Sequence, residues 1–208
     1  MEKLKYTIKH NGKMKGMMSL STSTMDNPLC IKNRNIKGSI CESCFAYKQT
    51  KCYKSMDGAF KHNASILTTR DLKDEEIEIL NVKFFRFEAF GDLHNEQQLK
   101  NYIKICNKNK HVDFAIWSKN YKLILEYFKN HKKPKNLRII ISSLMKNIKI
   151  STKPFEEIGL KVSTFTVYTK DFVKEFDIDI NCGARNCLSC QKCYRRETQQ
   201  LDIRELIK

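Results

Sequence analysis

Glycine and proline are scarce, seven and three in 208 residues. With so few breakers, the chain has to run in fairly continuous elements. Long apolar runs are missing too. No stretch approaches the roughly 18 to 20 apolar residues of a membrane span, so no membrane association is expected. The opening residues Met1-Glu2-Lys3-Leu4-Lys5 carry no apolar signal segment, which gives a reducing cytosol as the expected location. The five histidines are scattered, without an HxxxH or HxH pair, and this argues against a histidine-ligated metal. No P-loop, GxGxxG or GxSxG motif occurs, so the nucleotide, dinucleotide and hydrolase readings those motifs carry have no support.

Acidic residues are also few, 23 against 39 Lys and Arg, which leaves a formal charge of +16. Such a balance favours polyanions, and nucleic acid is therefore one expected partner. A plainer source competes with it. The chain is crowded with Lys, Asn and Ile, as an AT-rich coding sequence would give, and its lysines are spread along the whole length.

Cysteine, by contrast, is plentiful. Eight of the nine fall into two sets of four. In a reducing compartment such spacings point to metal ligands before disulfides. The distal set is Cys182-x4-Cys187-x2-Cys190-x2-Cys193. Its CxxCxxC run matches how ferredoxin-type loops hold a cube of iron and sulfide, whereas structural zinc usually uses two separated CxxC knuckles. Zinc and free redox thiols remain the alternatives. The proximal set is looser, Cys30-x10-Cys41-x2-Cys44-x7-Cys52. Three of these thiols could hold three irons of a cube and leave the fourth open to a ligand. Cys52 either completes a closed site or is a small buried residue. Cys106 falls on an apolar helix face and is expected in the core. Two [4Fe–4S] clusters would lower the net charge to about +12.

Periodicity gives the frame. Tyr6 to His10 and Met17 to Ser21 read as short strands, and Asn27-Pro28 as a break. Lys54 to Leu67 reads as a helix with Met56, Phe60, Ala64 and Leu67 on one face. A strand over Val82 to Phe87 runs into a turn at Gly91-Asp92. A helix over Glu96 to Lys108 and a strand over Val112 to Trp117 follow. Ser118 is an expected N-cap for a helix bearing Tyr121, Ile124, Leu125 and Phe128. Strands are expected over Leu137 to Leu144 and Lys161 to Tyr168, and a short polar helix from Arg196 on. Strand–helix alternation implies parallel strands with right-handed crossovers. The expected fold is α/β, a partial (β/α) barrel with parallel strands and a Cys-rich C-terminal extension. The barrel is assigned to 1–180 and the cluster-binding segment to 181–208. In such folds the site lies at the carboxyl ends of the strands.

Three segments resemble the "gene product 88" family of phage and prophage proteins. They are Ser19-Leu20-Ser21-Thr22-Ser23 through Asp26-Asn27-Pro28 and Cys30 to Cys41-x2-Cys44-Phe45-Ala46-Tyr47, then Phe85 to Asp92, then Cys182 to Cys193. The resemblance implies a phage-encoded protein in a host cytoplasm. The arrangement also resembles, distantly, a reduced radical S-adenosylmethionine enzyme: an N-terminal three-Cys cluster, a partial barrel and an auxiliary C-terminal cluster. It departs from that superfamily in having ten residues, not three, between its first two cysteines. The second resemblance implies that Gly91 and Asp92 meet the S-adenosylmethionine cofactor; a solvated turn is the other reading.

Arg86 and Glu88 alternate with Phe85 and Phe87 and so share a strand face, where they either enter the barrel interior or pair with each other. Trp117-Ser118-Lys119 either lines the mouth or packs. Two functions follow. One is an iron–sulfur protein with two [4Fe–4S] clusters, working by radical-type redox chemistry or by electron transfer from a donor protein. The other is a zinc-stapled nucleic-acid-binding protein without enzymatic activity.

Overall fold

Six strands, taken in chain order, lie side by side in one parallel sheet in the computed structural model, which describes residues 2–197 and 200–207. They are β1 (Met18–Leu20), β2 (Phe84–Phe87), β3 (Asp113–Ser118), β4 (Leu137–Ser142), β5 (Ser163–Tyr168) and β6 (Asp202–Leu206). Between them run α1 (Pro28–Arg34), α2 (Phe45–Cys52), α3 (Lys54–Leu67), α4 (Glu96–Lys108), α5 (Tyr121–Asn130), α6 (Lys153–Glu157), α7 (Lys170–Glu175) and α8 (Cys187–Cys190). Sequential order in a parallel sheet is that of a barrel wall, and the sheet stays open: among the described residues β1 and β6 share no ladder. The expected partial (β/α) architecture is thus present.

Register assigns the two faces. Phe85 pairs with Met18 and Phe114, and Phe114 with Leu137, so these side chains stand on one face. Helices cover that face. Leu99, Tyr102 and Ile105 of α4, Ile124 and Phe128 of α5, and Ile66 and Leu67 of α3 join Phe85, Phe87, Phe114, Ile139 and Ile141 in the main core. Phe87 sits inside an aromatic stack, 4.1 Å from the Tyr102 ring and 5.1 Å from Phe114, centre to centre. The opposite face carries Phe84, Arg86, Ala115, Trp117, Ile140, Phe165 and Ile203. Among the described residues, no α-helix but the four-residue α8 packs on it. The cysteine-rich segment covers it, through Tyr194, Cys182, Cys187 and Cys193. Residues from 181 on therefore supply both a cover for the inner face and β6 for the sheet.

Several expectations change here. The polar helix from Arg196 on is absent among the described residues: Asp202–Leu206 is an edge strand, and Thr198 and Gln199 of that stretch lie outside the described residues. It escapes the pattern because its polar residues face solvent or pair across β5, as Asp202 does with the Thr164 hydroxyl. Of Tyr6 to His10 only Thr7 bridges, antiparallel to Ser19, and so covers the free edge of β1. Asn27-Pro28 opens a helix where a break was read. Asn27 caps α1 by accepting from Leu29 N and Cys30 N, and Pro28 takes the first helical position, where its missing N–H costs nothing. Ser118 caps no helix; Asn120 precedes α5, and the Ser118 hydroxyl turns to Asp92. Cys106 is in the core, as expected. No helix among the described residues is long and apolar enough to cross a membrane.

Phe87→Ala removes the centre of the aromatic stack. It should cost about 3–5 kcal/mol of folding stability, read as a lower urea midpoint at unchanged slope.

Candidate metal centres

The carboxyl ends of β1, β2 and β3 meet around one buried carboxylate. β2 stops at Phe87, and Glu88 takes a left-handed conformation with φ 52°, uncommon for a non-glycine residue. This turns its side chain away from the inner face, so Glu88 and Arg86 do not pair. Glu88 is 2% exposed and accepts from Thr22 N at 3.2 Å, Thr22 Oγ1 at 3.0 Å, Gln98 Nε2 at 2.6 Å and the Tyr102 hydroxyl. No cation faces it. Burial pushes its pKa up to about 8, with the hydrogen bonds from Tyr102 and Thr22 acting against the rise.

Gly91 closes over this carboxylate. A Cβ there would lie 2.0 Å from Glu88 Oε2 and 2.8 Å from the Thr22 carbonyl, so only glycine fits. Asp92 follows, buried and not a solvated turn residue. Its Oδ1 accepts from Ser118 Oγ at 2.5 Å and Leu93 N at 2.8 Å, and its Oδ2 from Lys119 N at 2.9 Å. Its carbonyl accepts from Asn27 Nδ2 at 2.8 Å. Asp92 thereby ties β2, β3 and the N-cap of α1 together. The hydroxyl-rich run after β1 is consumed in the same way: Ser21 Oγ accepts from Phe90 N, and Ser23 donates to Asp57.

Three proximal cysteines converge on this mouth. Cys30 stands in the first turn of α1, held by the Asn27 cap. Cys41 lies in a loop fastened to the end of β4, where Ile40 N donates to Leu144 O and Ser39 bridges Met145. Cys44 is the N-cap of α2, its sulfur accepting from Tyr47 N at 3.5 Å. Burial raises the Cys30 thiol, and the charges of Asp92, Glu88, Cys44 and Cys41 raise it further. Burial raises Cys41 too, with Lys119 and Arg34 opposing. Cys52 is elsewhere. It ends the helix that Cys44 begins, about 12 Å along the axis, and is exposed.

All four distal cysteines line one cavity of about 110 Å³ on the inner face of the sheet. That is several times the roughly 10–15 Å³ a single water-sized sphere fills. Cys182 runs beside the outer edge of β6, its N–H donating to Arg204 O. Lys13 donates to the Cys182 carbonyl at 3.0 Å and approaches its sulfur at 3.5 Å while paired with Glu205. Cys187 and Cys190 open and close α8, and Gln191 ends it in a left-handed conformation, φ 61°, that turns the chain toward Cys193. Burial raises Cys193 to about 12, with the Cys182, Cys187 and Cys190 charges adding to it.

Among the described residues no three His, Cys, Asp or Glu side chains are grouped tightly enough to hold one metal ion. Zinc at 2.3 Å from each sulfur draws its tetrahedral ligands to within about 3.8 Å of one another. A cube seats each thiolate on a different iron, so its sulfurs surround a body and stand farther apart. The donor chemistry at both centres, thiols with cations and N–H donors beside them, fits such a group. Sequence reasoning missed Lys13, Thr22, Asn27, Gln98, Tyr102 and Tyr194. Asn27-Pro28 was legible as a cap with a following proline; Thr22 reaches Glu88 across 66 residues and Lys13 reaches Cys182 across 169, while Gln98 and Tyr102 sit on α4 as ordinary helix residues whose turn toward Glu88 leaves no local signal.

A family model described as Gene product 88 matches residues 2–196, all but β6 of the elements above. No curated protein and no solved structure matches the chain.

Two outcomes follow from the mouth. Because the folded pKa of Glu88 lies above its ordinary value of 4.5, folded protein holds a proton that unfolded chain releases between 4.5 and about 8. Its contribution to stability is full below that window and declines as pH rises through it. Glu88→Gln should flatten this part of the stability–pH curve in urea titrations. Gly91→Ala should cost about 1–3 kcal/mol in the same assay. Gly58→Ala in α3, where a Cβ meets nothing within 4 Å, should be neutral or stabilising.

Proposed function

The chain belongs to the Gene product 88 family, and from that premise we propose that it is an iron–sulfur protein holding two [4Fe–4S] clusters of unequal kind. Cys30, Cys41 and Cys44 hold the proximal one and leave one iron open at the mouth of the sheet. Cys182, Cys187, Cys190 and Cys193 close the distal one. The three-against-four division of the cysteines carries this reading: Cys52 stands exposed at the far end of α2 while the other seven converge. An open iron beside a buried carboxylate network suits redox chemistry on a bound ligand, and a closed cluster suits delivery of electrons.

The ligand this reading assigns to the open iron is S-adenosylmethionine, with radical-type chemistry following from it. Bound there, the cluster supplies one-electron reduction. The protein's own residues supply the frame. Gly91 admits the loop close over Glu88, and Asp92 fixes that loop to β3 and to the cap of α1. With both carboxylate oxygens occupied, Asp92 acts by holding the turn beside the ligand. Lys119, whose charge reaches both Asp92 and Cys41, is a cation at the opening. The electron comes from a donor protein.

Anaerobically purified protein should be brown, with about eight irons and eight sulfides per chain. Cys44→Ser should lose about half of that iron and Cys52→Ser none. Reductant-dependent cleavage of S-adenosylmethionine should follow the proximal iron. A colourless protein with about two zinc ions would overturn the proposal and return the chain to the zinc-stapled, nucleic-acid-binding reading. Full iron without cleavage leaves the clusters and removes the radical-type chemistry.

A further inference from the structure

Arg86 is a half-buried cation with no carboxylate partner among the described residues. Arg86 lies on the inner face of β2, half-buried beneath the cysteine-rich segment. Its guanidinium stacks on Trp117 at 3.9 Å from the ring centre, and Nη1 approaches the Met14 sulfur at 3.6 Å. Its Nε is buried without a partner. Among the described residues no carboxylate pairs with it. The ion pairs nearby belong to other cations, Lys13 with Glu205 and Arg196 with Asp113. The Tyr194 hydroxyl, on a residue only 1% exposed, lies beside the guanidinium but outside hydrogen-bonding geometry, and it too is unpartnered.

A charge withdrawn from water without a partner is costly, so such groups face a partner of opposite sign. The side chains that face Arg86 from the elements packed on it are His10, Trp117, Tyr194, Cys187 and Cys193. Only the cysteines can become anions in the ordinary pH range. Lys13 also reaches the distal set, but Glu205 already neutralises it.

We infer that Arg86 is the fixed counter-ion of the distal four-cysteine centre and sets its reduction potential. This rests on the cluster reading above. An oxidised cube with four thiolates carries about −2, and one electron taken from a donor brings it to about −3. Arg86 holds its single positive charge through both states. It therefore favours the reduced one, and the aromatic floor of Trp117 keeps the guanidinium from swinging to solvent. Trp117 is followed by Ser118, which binds Asp92, so the counter-ion stacks on the stretch of β3 that links the distal centre to the mouth.

The test is an EPR-monitored redox titration of the full chain, with the distal signal identified as the one lost in Cys190→Ser. Arg86→Gln should shift the reduction equilibrium of that centre at least tenfold toward the oxidised form, about 59 mV more negative for one electron. Arg86→Lys should remain near wild type, and the proximal signal should stay unmoved in both. An unchanged distal potential in Arg86→Gln, with its iron retained, overturns the inference and leaves the cluster proposal standing. Loss of distal iron in Arg86→Gln but not in Arg86→Lys supports a counter-ion. Equal loss in both marks a packing role and overturns it. Wild-type protein without iron overturns the cluster reading and this inference with it.

Discussion

The fold is organised around a carboxylate that has been taken out of water. Burying Glu88 costs desolvation energy, and four donors from two parts of the chain offset that cost. Those donors come from the end of β1 and from α4, so the bonds that satisfy one side chain also fix the relative position of an edge strand and a helix. The consequences run outward in order. A loop packed against the carboxylate has room only for Gly91. That loop delivers Asp92, Asp92 orients Asn27, and Asn27 starts the helix that carries Cys30. The first thiol of the proximal set is placed by a chain of polar contacts whose origin is 58 residues further along the sequence.

The sheet faces two solvents in effect. One side is covered by amphipathic helices and packs as an ordinary apolar core. The other is covered by a short, helix-poor segment rich in thiols, and the side chains beneath it include Arg86 and Arg138 as well as Trp117 and Phe84. A cover of that kind has too little apolar surface to hold itself down by burial alone. It depends on Lys13 and on the backbone of β6. On the proposed reading, fold and cofactor would be coupled here more strongly than at the mouth, where the Glu88 network is complete without a ligand.

Much of the frame was legible, and the reasons are local. α3 and α4 have the bounds their apolar period gives, Lys54–Leu67 and Glu96–Lys108. β2 to β5 are dense in β-branched and aromatic residues and can be read as buried parallel strands. What failed was polar or long-range. β6 carries Asp202, Arg204 and Glu205, and nothing in that composition says that β5 waits to pair with it. Arg86 and Glu88 have the alternation of strand partners, yet a single left-handed residue sends them to opposite sides. The eight clustered cysteines were visible as two sets, but spacing does not reveal that a helix separates Cys44 from Cys52. Asp92 could be singled out by its place after a strand, though not its burial, which depends on Ser118 and Asn27 arriving from elsewhere.

Strand order equals chain order throughout the sheet. As the chain leaves the ribosome, each new strand finds its neighbour already made, and the longest connection to be closed is the one over 21–83 between β1 and β2. The exception is the last stretch. Cys182 to Tyr194 must settle on an inner face formed by β2, β3 and β4, and the final edge strand must then dock outside it. The mouth is finished while the distal thiols are still unmade or exposed. If the two centres hold the clusters proposed, maturation has a direction built in, with the proximal centre ready for loading early and the distal one only after the chain beyond Cys193 has emerged.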